Sequence, residues 1–250
     1  LCIVNGYMAN PYRVIVTTSD KYLPVLRLFA HQYHKYWNPH APVLIAGYAQ
    51  PEFDLPEYMS FVSLGEQKDY PFPKWSNALI ALLRDIEDEV IVLMLDDYLL
   101  ARPVDTRNVQ ILADYARQFG YVLKIDLCAD RLYAYGADLN YGTVGHIDLI
   151  KSMPGSPYHM SLWPGIWRRD NLLRVLVPNE SPHDIELIGT TRLSHIQDLL
   201  VLGTRNMPLQ IALGLRGGNS TNLNTSELQP QDVEALRGLG YLQYWEKQDG

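Results

Sequence analysis

The chain reads as an α/β protein built on a mixed, mostly parallel sheet flanked by helices, and three features predict it. Val90-Ile91-Val92-Leu93-Met94-Leu95 is a continuous apolar run, the pattern of a strand buried on both faces. Extended and helical periodicities alternate from residue 13 onward. The apolar run stops on two adjacent acids, Asp96 and Asp97, just past a strand's carboxyl end, where open α/β sheets bind ligands.

Taken in order, Arg13-Val14-Ile15-Val16-Thr17-Thr18 predicts a first strand running into Ser19-Asp20, residues suited to a helix N-terminus. Tyr22, Val25, Leu26, Phe29, Tyr33 and Trp37 then recur at helical spacing. Pro42 to Tyr48 predicts a second strand, and Phe61-Val62-Ser63-Leu64-Gly65 a shorter third that opens into a loop containing Pro71 and Pro73. Trp75-Ser76-Asn77 begins a helix whose apolar stripe is Leu79, Leu82, Leu83 and Ile86, and the acid-terminated strand follows it. A further helix carries Val109, Leu112, Ala113, Ala116 and Phe119; Gly120 ends it before a strand over 121–127. The second half is less regular, with proline and glycine clusters at 154–157, 164–165 and 217–218. With no linker, repeat or low-complexity stretch, the expectation is one domain over 1–250.

Composition narrows the function. A net charge of −7 over 250 residues argues against non-specific nucleic-acid binding. No apolar run reaches the roughly 18 residues of a membrane span, and the first residues lack a basic-then-apolar signal. The expectation is a soluble, cytoplasmic chain with at most peripheral membrane contact. Cys2 and Cys128 give neither a disulfide framework nor a metal-ligand spacing, and Cys128 reads as a buried strand residue. Seventeen tyrosines and five tryptophans would suit the flat faces of sugars, or simply fill the core.

Familiar nucleotide motifs are excluded by reading. Thr17-Thr18-Ser19-Asp20 stands where a dinucleotide fold needs G-x-G-x-x-G, and no G-x-x-x-x-G-K-[ST] occurs. A phosphohydrolase with an aspartyl nucleophile needs an acid two residues after the first, and here that position is Tyr98. What remains is a nucleotide-sugar site, whose paired carboxylates can hold a hard divalent cation against phosphate oxygens. The rival reading is that Asp97 starts a turn and Asp96 caps a backbone group.

Four stretches in this order resemble the GT-A class of glycosyltransferases, within it the bacterial sugar transferases of surface-polysaccharide synthesis. They are residues 14–20, Trp75-Ser76-Asn77 with its helix, Leu95-Asp96-Asp97-Tyr98-Leu99, and residues 164–170 followed by Ser181-Pro182-His183-Asp184-Ile185-Glu186. The resemblance implies a GT-A-like sheet with a nucleotide-binding half (13–127) and an acceptor-binding half (128–250). It further implies transfer of a sugar from a UDP-linked donor to a carbohydrate or glycolipid acceptor. Thr17, Thr18 and Asp20 would contact uracil and ribose, and Trp75, Ser76 and Asn77 would meet the nucleotide from a helix N-terminus. Asp96, Asp97 and Tyr98 would place ribose and metal, with Asp97 holding Mn2+ or Mg2+; the commoner signature has an acid where this chain has Tyr98. Asp184 or Glu186 would be the base of an inverting reaction, and residues so spaced do not share a helix face. From the residues themselves, Arg216 in a glycine-bearing loop, with Lys68 and Lys74, offers cations to the diphosphate. Trp163, Trp167 and Arg168 offer flat faces and charge to an acceptor, while His159 and His183 are single histidines near these segments. Ser19 and Asp184 as helix caps, and Trp75 and Trp167 as core, are the structural alternatives. A non-catalytic binding relative, or a nucleotidyltransferase on a similar scaffold, are the functional ones.

Overall fold

A computed structural model describes residues 12–129, 138–215 and 223–246. The first half follows the expected order: β1 (Arg13–Thr17), α1 (Leu23–Tyr36), β2 (Val43–Gly47), β3 (Met59–Ser63), α2 (Trp75–Asp85) and β4 (Val90–Leu95). The third strand starts two residues before the predicted run. Next come β5 (Tyr98–Leu100), α3 (Thr106–Gln118), β6 (Val122–Asp126), the hairpin β7 (Asp138–Val144) and β8 (Ile147–Ser152), and β9 (Gly165–Arg168) leading straight into α4 (Arg169–Val175). The chain continues through α5 (Pro182–Leu193), β10 (Leu200–Thr204), β11 (Ile211–Leu213), α6 (Pro230–Gly238) and α7 (Gln243–Glu246).

Nine strands form one sheet in the order β3-β2-β1-β4-β9-β6-β10-β8-β7. All but β9 and β8 point the same way. The apolar runs are continuous because both faces are covered. Val14 and Val16 of β1 and Val90, Val92 and Met94 of β4 pack with Leu26, Phe29 and Tyr33 of α1 and Leu112 of α3. Ile15, Ile91 and Leu93, one residue out of phase, pack with Leu79 and Leu83 of α2, Leu172 of α4 and Ile185 of α5. Each such fully buried aliphatic side chain contributes about 1.5–3 kcal/mol relative to exposure. Among the described residues no helix is long and apolar enough to cross a membrane.

Two details set the position of the site. After the Asp96-Asp97 turn the chain leaves the main sheet, and β5 pairs antiparallel with β11, Tyr98 opposite Leu213. Gly214, next after β11, donates its N–H to the Asp97 carbonyl at 2.7 Å. A Cβ there would lie 3.2 Å from that carbonyl oxygen and 3.1 Å from Leu99 Cδ1, so a bare glycine lets the strands close on the turn. The second detail is β9, inserted between β4 and β6 and antiparallel to both. Its Gly165 lies opposite Leu93, toward the carboxyl end of β4, and its Arg168 opposite Val90, at the other end.

Candidate functional site

β1 and β4 are parallel neighbours with Thr17 opposite Leu95, so the segments leaving their carboxyl ends meet although far apart in sequence. They form a cleft of about 210 Å³ between Thr17, Thr18, Ser19, Asp96 and Asp97, walled by Tyr22, Phe72, Trp75 and Pro182. Thr18 Oγ1 donates to Asp96 Oδ2 at 2.5 Å, and both residues are buried. Thr18 fits because β2 ends in glycine: a Cβ on Gly47 would lie 2.5 Å from Thr18 Cγ2. Thr17 Oγ1 and Ser19 Oγ are buried with no hydrogen-bond partner among the described residues. Ser19 precedes a 3-10 turn at Asp20–Tyr22 yet makes no side-chain cap, so the capping alternative is not realised. An orphaned buried hydroxyl costs about 1–3 kcal/mol, a cost that a ligand bonding to it removes.

The acids of the cleft are electrostatically loaded. Burial first, and the neighbouring Asp97 charge second, hold the Asp96 carboxyl well above the usual carboxylate range, with Thr18 pulling the other way. Burial pushes Asp97 up to about 6. No lysine or arginine lines the cleft among the described residues. Two desolvated oxygen-donor side chains without a cationic side chain beside them fit a hard divalent cation, which takes one or two carboxylates and completes its shell with water and phosphate oxygens. The described residues contain no group of three or more His, Cys, Asp or Glu placed to hold a metal unaided.

Asp20 belongs to an adjoining cavity of about 350 Å³ across the ends of β1, β2 and β3, shared with Tyr48, Ala49, Gln67 and Lys68. Its Oδ1 accepts from Ala49 N at 2.9 Å, and its own N–H donates to Gln67 Oε1 at 3.3 Å. Burial pushes the Tyr48 phenol up to about 12, so it stays a neutral donor. Lys68 pairs with Glu66, both exposed, and Lys74 is exposed ahead of α2.

Several expected site residues are turned elsewhere. Ser76 is buried: its Oγ accepts from Glu180 N at 3.0 Å, and its N–H donates to Glu180 O at 3.0 Å. Asn77 grips Asn179, accepting from its N–H at 2.6 Å and donating to its Oδ1 at 3.2 Å. Both therefore clamp the 179–180 turn onto α2, and of the three only Trp75 reaches the cleft. Tyr98 is buried in the core under β5, its ring 6.1 Å from that of Trp163. The chain has left the cleft by residue 98, so a third acid there would have pointed into the core.

The acceptor-side expectations change more. Asp184 forms a capping box with Ser181, accepting from its N–H at 3.1 Å and its hydroxyl at 2.7 Å, and these bonds hold its carboxyl below the usual range. A carboxylate so tied is a poor proton acceptor. Glu186 Oε1 accepts from Leu162 N at 2.8 Å and anchors that segment. Neither lines the cleft, and the geometry supports neither as a base. Trp167 is fully buried with the Lys124 ammonium 5.0 Å over its ring. Arg168 donates to the carbonyls of Ala116 and Arg117 at 2.9 and 2.8 Å and to Glu89 at 2.8 Å, at the end of β4 remote from the acids. The reversed direction of β9 is the reason. Trp163 remains half-buried near the acid turn. His159 is buried with Nδ1 2.9 Å from Ser152 Oγ, His183 is exposed, and Cys128 is buried as expected but sits in a bend just past β6, not in a strand. Arg216 lies outside the described residues. Sequence reasoning missed the cleft walls Tyr22 and Phe72; aromatic residues flanking Ser19-Asp20 and Pro71-Pro73 were the available signal.

No family model matches the sequence, and no curated protein matches it. Solved structures do. One is a CMP:2-keto-3-deoxy-manno-octonic acid synthetase complexed with CTP, 14% identical over 93% of this chain and 99% of that one, with a TM-score of 0.43. Another is an active-site mutant of LgtC, 10% identical over 74% of this chain and 65% of that one, with a TM-score of 0.38. Similarity at this level assigns neither a residue nor a reaction.

Proposed function

We propose that this chain is a GT-A-type transferase that takes a sugar from a nucleoside-diphosphate donor, UDP-linked in the simplest case, and passes it to a saccharide acceptor. One observation carries the reading: at the carboxyl ends of two adjacent parallel strands, buried Asp96 and half-buried Asp97 share a cleft with two hydroxyls that lack partners among the described residues. In this reading Asp20 and the cavity beside it receive base and ribose, and Thr17 and Ser19 donate to phosphate or ribose oxygens. Asp97, with Asp96 behind it, would hold a divalent cation for the diphosphate. When bound, Mn2+ or Mg2+ neutralises charge developing on the departing nucleoside diphosphate. Thr18 is a positioning residue, fixing Asp96 by its hydrogen bond. Trp163 is the surviving candidate for contact with an acceptor sugar.

A second reading, nucleotidyl transfer, draws on the same acid cleft: phosphoryl chemistry relies chiefly on positioning and charge neutralisation, which that cleft would supply. The products separate the two. Incubation with a panel of nucleotide sugars and saccharide acceptors in Mn2+ should release nucleoside diphosphate. Pyrophosphate from nucleoside triphosphate and a free sugar acid would replace this reading with the second, and tight nucleotide binding without either product would mark a binding relative.

A further inference from the structure

On the α1 side of the molecule, two cavities of about 300 and 390 Å³ share Arg27, Phe53 and Tyr241. Together they fall inside the roughly 300–1,000 Å³ range of small-molecule sites. The Arg27 guanidinium lies 5.1 Å from the Phe53 ring centre and 5.5 Å from that of Tyr241. Its contacts among the described residues are with these rings, and no carboxylate there pairs with it. The guanidinium covers these rings, which hold it in the shared wall of both cavities, and its N–H groups, unpaired among the described residues, suit the hydroxyl-bearing edge of a pyranose ring.

The charges around the groove decide which sugar. Asp54 lines the first cavity beside Arg27 and His31, and Glu52 and Asp20 line the second. His31 packs edge-on against Tyr241, ring centres 6.0 Å apart, and burial, then Lys35, hold it below its usual range. A neutral imidazole offers one donor and one acceptor, as a hydroxyl does. An anion would meet Asp54 and Glu52, and a cation would meet Arg27. The geometry points to a second saccharide-binding site in this groove, specific for neutral hexose chains; it lies outside the acid cleft and meets the cavity beside that cleft only at Asp20. It stands whether or not the acid cleft proves to be a transferase site.

The test uses saturation-transfer NMR on the whole chain with neutral trisaccharides of glucose, galactose and mannose, and trigalacturonate as the charged comparison. At least one neutral trisaccharide should show transfer. Arg27→Met, which removes the donor fork, and Tyr241→Leu, which removes a ring that holds it, should each weaken it by on the order of three- to tenfold. Thermal melting of both variants checks that they fold. Overturning results are silence from all three neutral probes, binding of trigalacturonate alone, or undiminished binding in both folded variants.

Discussion

Asp97→Asn tests the acid cleft through stability before any substrate is known. Burial raises the Asp97 carboxyl from 3.8 to about 6, so the folded protein holds this proton more tightly than the unfolded chain does. Stability therefore falls as pH rises from about 4 to about 6 and stays lower above that, the sign required when the native state binds more protons. At 1.36 kcal/mol per unit the shift costs about 3 kcal/mol at pH 8. Asparagine has nearly the same shape without the charge, and it also removes the like charge beside Asp96. In chelator at pH 8 the variant should be more stable than the parent by up to about 3 kcal/mol, or about 6–12 °C in melting temperature for a domain of this size. At pH 4 the two should nearly coincide. Guanidinium denaturation at both pH values measures it. A variant no more stable than the parent at pH 8 would refute the buried-charge account of this turn.

Thr18→Val removes the bond to Asp96 and should cost about 1–3 kcal/mol; Gly47→Ala, which forces Thr18 aside, should weaken nucleotide binding in the same direction, both read by denaturation and calorimetry. Lys124 is buried, donates to Ser161 O at 2.8 Å and pairs with buried Asp126. Lys124→Met alone should destabilise by about 3–5 kcal/mol, whereas Lys124→Met with Asp126→Leu should recover most of it, because the penalty is the uncompensated charge. Asp184→Asn should lower helix stability slightly and leave the pH profile of any transfer unchanged; a slope lost from the profile would restore Asp184 as the base.

The alternation from β1 to β4 was legible in sequence because runs such as Val90 to Leu95 are apolar throughout only when both faces are covered. The acid pair was legible as a pair, and so was its local alternative, for Asp96 and Asp97 do form the turn between β4 and β5. Direction and distant partners were not. Gly165-Ile166-Trp167-Arg168 looks the same whichever way the strand runs, and its reversal alone carries Arg168 away from the cleft. Ser76 and Asn77 are polar residues at a helix start whether they face a ligand or a turn 102 or more residues later. Ser181-Pro182-His183-Asp184 carries its capping pattern openly, so the structural alternative for Asp184 was readable and prevailed. Thr17 and Ser19 show the converse: only the folded cleft reveals hydroxyls left without partners among the described residues.

Calorimetric titration of UDP into the parent and Asp97→Asn, each with Mn2+ and with chelator, tests the central claim most directly. The cleft described here requires measurable UDP binding by the parent in Mn2+, at least tenfold weakening by chelator, and a variant whose affinity is low and indifferent to metal. Binding by the parent that is equally tight in chelator, or a variant that keeps the metal-dependent gain, would contradict it.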